Sequence, residues 1–323
     1  MKPVPVPDSL LGFISVGKRF LVAGHKEPDG DCVGSQLALA SALRRLGKSA
    51  LPCSPGPFKR PEIIPYAPLF TAEPTEAERE DARVIVLDCS NIGRTGDLEP
   101  FLSGLPTAVI DHHASSDSSG DAIFLDGAAP SVTFMVLAVI EALGLKPTRE
   151  EAELLFFGLC TDTGFFRHVD EGGAPVFEYA ARLIDAGANP KRAFQAMSGG
   201  KSLESRRLMG LVLSRVEPFF GGRLLLSWET EEDTARFGLQ GRDSDALYQL
   251  LQSVGGVEAV VLIRQETSAN CTVGLRSRET VDVAAIAGRF GGGGHRQAAG
   301  LSTAGTIAEL REKIVEAFAS VFL

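Results

Sequence analysis

Asp111-His112-His113 follows the apolar run Thr107-Ala108-Val109-Ile110, and the acid-rich turn His25-Lys26-Glu27-Pro28-Asp29-Gly30-Asp31 follows the equally strand-like Phe20-Leu21-Val22-Ala23-Gly24. Carboxylates crowded together are costly to desolvate unless a cation neutralises them, so two such clusters point to bound divalent ions. Two further acids stand in similar places: Asp88 ends Val84-Ile85-Val86-Leu87, and Asp162 sits in Cys160-Thr161-Asp162-Thr163-Gly164. One acid at a strand end is ordinarily a cap or a turn former, but four such segments in one half of the chain call for a shared purpose. Of the five histidines, His25, His112 and His113 belong to the clusters, His168 follows Asp162, and His295 closes the glycine run 291–294. His168 reads as an ordinary structural residue.

Ligands for a two-metal site must converge from several strand ends, as at the carboxyl edge of an open parallel sheet. The first half alternates apolar strands (20–24, 84–88, 107–111, 122–125) with helical patterns (33–46, 131–143, 149–160, 174–186), the signature of a helix-covered parallel sheet. Between them, residues 52–68 hold six prolines and read as a surface excursion. Residues 191–216 read as helix interrupted by Ser198-Gly199-Gly200. The remainder is a smaller α/β unit with strands near 223–228, 257–265 and 270–276, helices near 243–253 and 282–289, the glycine run and a last helix from Ile307. The expectation is a metal-binding domain over 1–188, a helical linker over 189–215 and a second domain over 216–323, with the active site in the cleft between them.

A chain of 323 residues with 44% apolar content is large enough for two ordinary cores. Pro3, Pro5 and Pro7 break up the N-terminus, so no secretory leader is expected, and no run reaches the length of a membrane span. The five cysteines are odd in number and lack C-x-x-C spacing, which argues against a disulfide framework and for a reducing cytoplasm. Cys32, Cys89 and Cys160, each within two residues of a singled-out acid, read as small apolar fillers. A net charge of −9 and the lack of any basic run exclude a grip on long duplex DNA. An anionic substrate should therefore be short.

The segments HKEPDGDCVGS, VLDCS, VIDHH and GLCTDTGFFRH resemble the four motifs of the DHH phosphoesterase superfamily, and FGGGGHRQAAG resembles the glycine-rich signature of its DHH-associated C-terminal domain. The match is collinear from about residue 20 to 301, and the length is similar to the branch containing nanoRNases and phosphatases of 3′-phosphoadenosine 5′-phosphate (pAp). The resemblance implies two divalent cations, manganese first and magnesium second, with His25, Asp29 and Asp88 on one and Asp31, Asp88, His112 and Asp162 on the other. A hydroxide held between the ions would attack phosphorus in line. Asp111 would orient the neighbouring imidazoles, and His113 would meet the scissile phosphate or protonate the leaving group.

For substrate binding the resemblance implies Arg276, a planar fork suited to a phosphate or base, and Gly292, Gly293, Gly294 and His295, whose backbone leaves room for close approach. Ser35 is either a helix cap or a phosphate contact, and Arg94 and Arg167 are within conceivable reach of substrate. Asp170-Glu171-Gly172-Gly173 departs from a Ser/Asn-Thr-Thr stretch common in the family, and His168 stands where an aromatic is usual. The implied activity is hydrolysis of short oligoribonucleotides, of pAp, or of both. Rivals are a cyclic- or linear-dinucleotide phosphodiesterase, an exopolyphosphatase or pyrophosphatase-like hydrolase, and a non-catalytic nucleotide sensor. The pyrophosphatase-like rival would grip phosphate with several Lys/Arg residues of the second domain, where this chain shows instead the nucleotide-type glycine signature, and the sensor would have shed ligands that are all present here. A homodimer is compatible with the sequence.

Overall fold

Runs of Val, Ile and Leu form five parallel strands in the first unit: β1 (Arg19–Gly24), β2 (Ser49–Cys53), β3 (Ala82–Leu87), β4 (Thr107–Asp111) and β5 (Ala122–Leu125). The computed structural model describes residues 5–113, 118–278 and 280–322. Strand order is β2-β1-β3-β4-β5, so the chain reverses its direction of winding between β1 and β3. Such a reversal opens a crevice beyond the carboxyl ends of the two strands. Register decides what lines it. Gly24 pairs with Leu87 and Leu87 with Ile110, so the next residues, His25 and Asp88 just past β1 and β3 and Asp111 at the end of β4, stand side by side.

Side chains alternate across the sheet with the strand period of two. Phe20, Val22, Ile85, Leu87 and Ile110 join a core with helix α1 (Asp8–Val16), helix α2 (Gly30–Arg45) and the helices Val132–Ala142 and Arg149–Asp162. Leu21, Ala23, Val84, Val86 and Val109 face the other way, toward Leu98 and Leu102. Both faces are buried, which is why these strands read as continuous apolar runs.

The 52–68 excursion was expected to lie wholly outside the sheet, yet its first residues belong to β2. Pro52 hid the strand, and β2 is an edge strand, where proline is tolerated.

Glycines set how closely α2 approaches the Arg149–Asp162 helix. A Cβ at Gly34 would stand 2.5 Å from the Leu154 carbonyl oxygen, and one at Gly158 would stand 2.4 Å from Thr133 Cγ2 and 3.1 Å from Asp31 Cα. Only bare backbone allows Asp31, on the first turn of α2, to come near Asp162, at the end of the other helix.

Contacts divide the chain into Met1–Gly200 and Lys201–Leu323, a boundary inside the 189–215 segment read as a linker. The helix Pro190–Ser198 falls in the first unit and the helix Leu203–Ser214 in the second. In the second unit, β6 (Glu217–Phe219), β7 (Leu224–Glu229), β8 (Ala259–Thr267), β9 (Asn270–Ser277), β10 (Gly293–His295) and β11 (Ala298–Ala304) form a sheet of order β10-β11-β9-β8-β7-β6. Only β7 and β8 run parallel.

Leu226, Val261 and Ile263 pack on Ile286, Ile314 and Phe318, while Leu225, Val260 and Leu262 pack on Leu208, Val212 and Tyr248. The glycine run, to which no strand was assigned from sequence, contributes β10, and β11 was not anticipated. Glycine and alanine carry little strand signal of their own, and the pairing with β9 supplies it. Among the described residues no helix is long and apolar enough to cross a membrane.

Candidate metal centre

Side chains at and just beyond the carboxyl ends of β1, β3 and β4 line a cavity of about 400 Å³ in the first unit, together with Asp162. His25 Nε2 lies 3.5 Å from Asp88 Oδ2 and 3.8 Å from Asp29 Oδ1. On the other side, His112 Nε2 lies 3.6 Å from Asp88 Oδ1 and 3.4 Å from Asp162 Oδ2. Donor atoms of Asp31, His112 and Asp162 all fall within 4.8 Å of one another. These separations exceed the roughly 2.7–3.2 Å of a nitrogen–oxygen hydrogen bond. They approach the spacing of neighbouring ligands around one ion, about 3.0–3.6 Å for bonds of about 2.0–2.3 Å. The two oxygens of Asp88 face different imidazoles, so one carboxylate has a free lone pair toward each side.

Burial makes the cluster costly without a cation. Desolvation, then the neighbouring Asp31 and Asp29, push the Asp162 carboxyl up to about 7, and Asp88 is driven well above the usual carboxylate range by the same causes despite His25. Asp31 is also raised by burial, although the Val132 and Thr133 N–H groups donate to its two oxygens at 2.6 and 2.9 Å. Burial opposes Asp29 too, but His25 and the Cys32 N–H outweigh it and leave the carboxyl at about 2. For His25, burial is likewise outweighed, by Asp29 and Asp88, and the imidazole is held far above its ordinary value. Asp111, fully buried, has one oxygen, Oδ2, with no partner. Crowded acids, an orphaned carboxylate oxygen and mixed oxygen and imidazole donors all fit divalent cations.

Local structure explains each placement. Asp29 caps α2 by accepting the Cys32 N–H on Oδ1, the oxygen that also lies nearest His25. Asp88 holds a left-handed backbone, φ +60°, a conformation Asp and Asn tolerate better than other non-glycine residues. Strain of this kind, of order 1–3 kcal/mol, persists where the surroundings over-determine it.

Three expectations need correction. Asp162 does not come from a strand end; it is the last residue of the Arg149–Asp162 helix, which the glycine contacts bring to the crevice. Asp111 was expected to orient both imidazoles, but it holds only His113, whose Nδ1 and backbone N–H lie 2.7 and 3.1 Å from Asp111 Oδ1. His112 Nδ1 is instead held 3.1 Å from the Ala129 carbonyl oxygen. Ser35 neither caps α2 nor faces substrate, because it is wholly buried in the helix, five residues past its first position, with its hydroxyl unpartnered.

Sequence reading gave no weight to Lys26, which lines the cavity with Arg94. The Lys26 N–H donates to the Arg94 carbonyl at 2.9 Å, tying the two loops together. A lysine inside the first acidic turn was the available signal. Cys32 Sγ lies within 4.8 Å of donors of His25 and Asp88, but its thiol donates to Gln36 Oε1 at 3.4 Å, in keeping with a packing role.

In the second unit, Arg276 and His295 are both register partners of Ala298, so they flank a small residue on one face of the sheet. The Arg276 guanidinium lies 4.7 Å from the centre of the Tyr248 ring. A Cβ at Gly292 or Gly294 would stand within 2.5 Å of β11 backbone or side chain, so these glycines first of all permit the tight β10–β11 hairpin that carries exposed His295.

The model of the DHH family N-terminal domain matches residues 19–159, and that of the DHHA1 domain matches residues 230–322. The chain is 32% identical over 301 residues to the bifunctional oligoribonuclease and PAP phosphatase NrnA of Thermus thermophilus, an alignment covering 92% of this chain and 88% of that protein. It is 28% identical over 298 residues to the protein of the same name from Bacillus subtilis, covering 91% and 92%. The crystal structure of an exopolyphosphatase-related protein from Bacteroides fragilis shares the fold, with a TM-score of 0.80 at 22% identity over 98% of this chain and 96% of that one.

Proposed function

The chain belongs to the DHH family, and from that premise we propose that it is a divalent-metal-dependent phosphoesterase of short oligoribonucleotides and of pAp, the activities that its relatives' names carry. His25, Asp29 and Asp88 would hold one ion, and Asp31, Asp88, His112 and Asp162 the other. Bound there, paired cations make water a better nucleophile at neutral pH and stabilise charge building on a phosphoryl group. Oxygen and imidazole donors favour manganese, with magnesium next.

The chain's own residues supply the rest. Lys26 and Arg94 give the cavity positive charge for a phosphate. His113 is 57% exposed with Nδ1 fixed by Asp111, so Nε2 is left to give a proton to a departing oxygen. Arg276, His295 and the Gly292–Gly294 backbone are proposed to engage the non-reacting part of the nucleotide. A cytoplasmic location is in keeping with five unpaired cysteines.

The observation that carries this reading is Asp88, each of whose oxygens faces a different histidine. The test is a panel of pApA, pGpG, longer RNA, pAp and pyrophosphate, each with manganese and with an Asp88→Asn control. Release of mononucleotide from the dinucleotides and of phosphate from pAp, lost in the variant, is the expected result. Turnover confined to pyrophosphate, or equal turnover by the variant, refutes it.

A further inference from the structure

We propose that Tyr248 is a positioning residue, whose buried ring is the plate on which the Arg276 guanidinium rests and whose place is fixed by the bare backbone of Gly274. The inference deepens the function proposed above and rests on its assignment of Arg276 to the non-reacting part of the nucleotide.

Helix and strand periods bring the three residues together. The helix Ser244–Gln252 turns Leu247, Tyr248 and Leu251 onto the face of the sheet where Leu225, Val260 and Leu262 lie. Gly274 and Arg276 are two residues apart on β9, so both side-chain positions point to one face. Their register partners on β8 are Leu262 and Val260, which makes it the face that the helix covers. There the Arg276 guanidinium lies 4.7 Å from the ring centre, inside the roughly 6 Å over which a cation is attracted to an aromatic face.

The hydroxyl end of the ring reaches across Gly274. A Cβ there would stand 2.1 Å from Tyr248 Oη and 3.2 Å from Cζ. Gly274 is not one of the glycines with a left-handed backbone, so what it supplies is space and not a special conformation. The Tyr248 hydroxyl is buried with no hydrogen-bond partner, which costs stability. Packing alone would be better served by phenylalanine.

The contact orders Arg276 without neutralising it. Nη1 donates to the Leu275 carbonyl at 3.0 Å, and among the described residues no carboxylate pairs with this guanidinium. A carboxylate would also hold the side chain, but it would cancel charge that an anionic nucleotide needs, whereas an aromatic face leaves the N–H edge available. Fixing an arginine before binding lowers the rotamer cost of engaging a ligand.

The experiment measures kcat and KM for pApA in the full-length protein with manganese. Gly274→Ala drives a methyl into the Tyr248 hydroxyl and displaces the plate, so KM should rise roughly fivefold while kcat stays within about twofold of the wild type. In a Tyr248→Phe background the colliding oxygen is gone, and the same substitution should move KM by less than about twofold. In an Arg276→Gln background it should likewise move KM by less than about twofold, because the plate then has no cation to hold.

A comparable rise in either second background, no rise when Gly274→Ala stands alone, or a change confined to kcat overturns the proposal. If Gly274→Ala does not fold, Tyr248→Leu decides: a KM rise seen with Arg276 intact and absent in Arg276→Gln supports it, and equal effects in both overturn it. A wild type inactive on both pApA and pAp removes the parent function and this inference together. Wild-type activity on both, with KM unmoved by these variants, removes the inference only.

Discussion

Asp88 carries more of the chemistry than any other single residue, and its surroundings show why. Its carboxylate is 4% exposed, crowded by Asp29 and Asp31, and mounted on a left-handed backbone that asparagine also tolerates. Asp88→Asn should therefore fold normally and melt, in chelator, within a few degrees of the wild type. What it should lose is the stabilisation by manganese, about 4 kcal/mol at a free concentration a thousand times Kd. Calorimetric titration should find fewer than two bound ions. A variant that still binds two ions with wild-type affinity would show that Asp88 bridges nothing. At this scale the ligands were legible in the sequence because acids and imidazoles beside strand-like runs are chemically conspicuous. The Ala129 carbonyl and the Val132 and Thr133 N–H groups, which hold His112 and Asp31, carry no such mark, since every residue has a backbone.

At the scale of elements, caps and glycine contacts decide geometry. In the second unit, Thr230 and Asp233 form a capping box at the helix Glu231–Phe237, and Arg215 closes on the same carboxylate. Burial pushes the Asp233 carboxyl up, but Arg215 and the Thr230 N–H outweigh it and hold it below the ordinary range. A carboxyl with a depressed folded-state pKa stabilises fully above the unfolded-state value, about 3.9, and loses that contribution as pH falls through the folded-state value. The wild type should thus melt above Asp233→Asn at pH 7, by roughly 1–2 kcal/mol of stability. The gap should narrow once pH drops below about 4. Thermal melts at pH 7, 5 and 3 check this, and a gap that widens toward acid contradicts it. Strands β1, β3, β4 and β5 could be read ahead because both faces are apolar, whereas β2 was masked by Pro52 and β10 and β11 by glycine and alanine. Those three exist because neighbours pair with them, a non-local cause that local composition does not display.

For the whole molecule, each unit has its own sheet and its own cores, and the proposed ligands all lie in the first. Manganese should accordingly slow amide exchange in α2 and around residues 131–134, where the Val132 and Thr133 N–H groups hold Asp31, and leave β7, β8 and β9 unchanged. Hydrogen exchange by mass spectrometry with and without chelator reads this directly, and protection confined to the second unit would contradict the assignment. The sequence by itself determined the donor chemistry, the parallel sheet that orders it and the division into two α/β parts, because residue type and hydrophobic period are local properties. Tertiary structure alone decided that Asp162 arrives from a helix, that Asp111 serves only His113, and that Ser35 is sealed inside α2. Each of these follows from how closely distant segments approach, and that distance is set where Gly34 and Gly158 let two helices meet and where the register of β1, β3 and β4 brings three strand ends level.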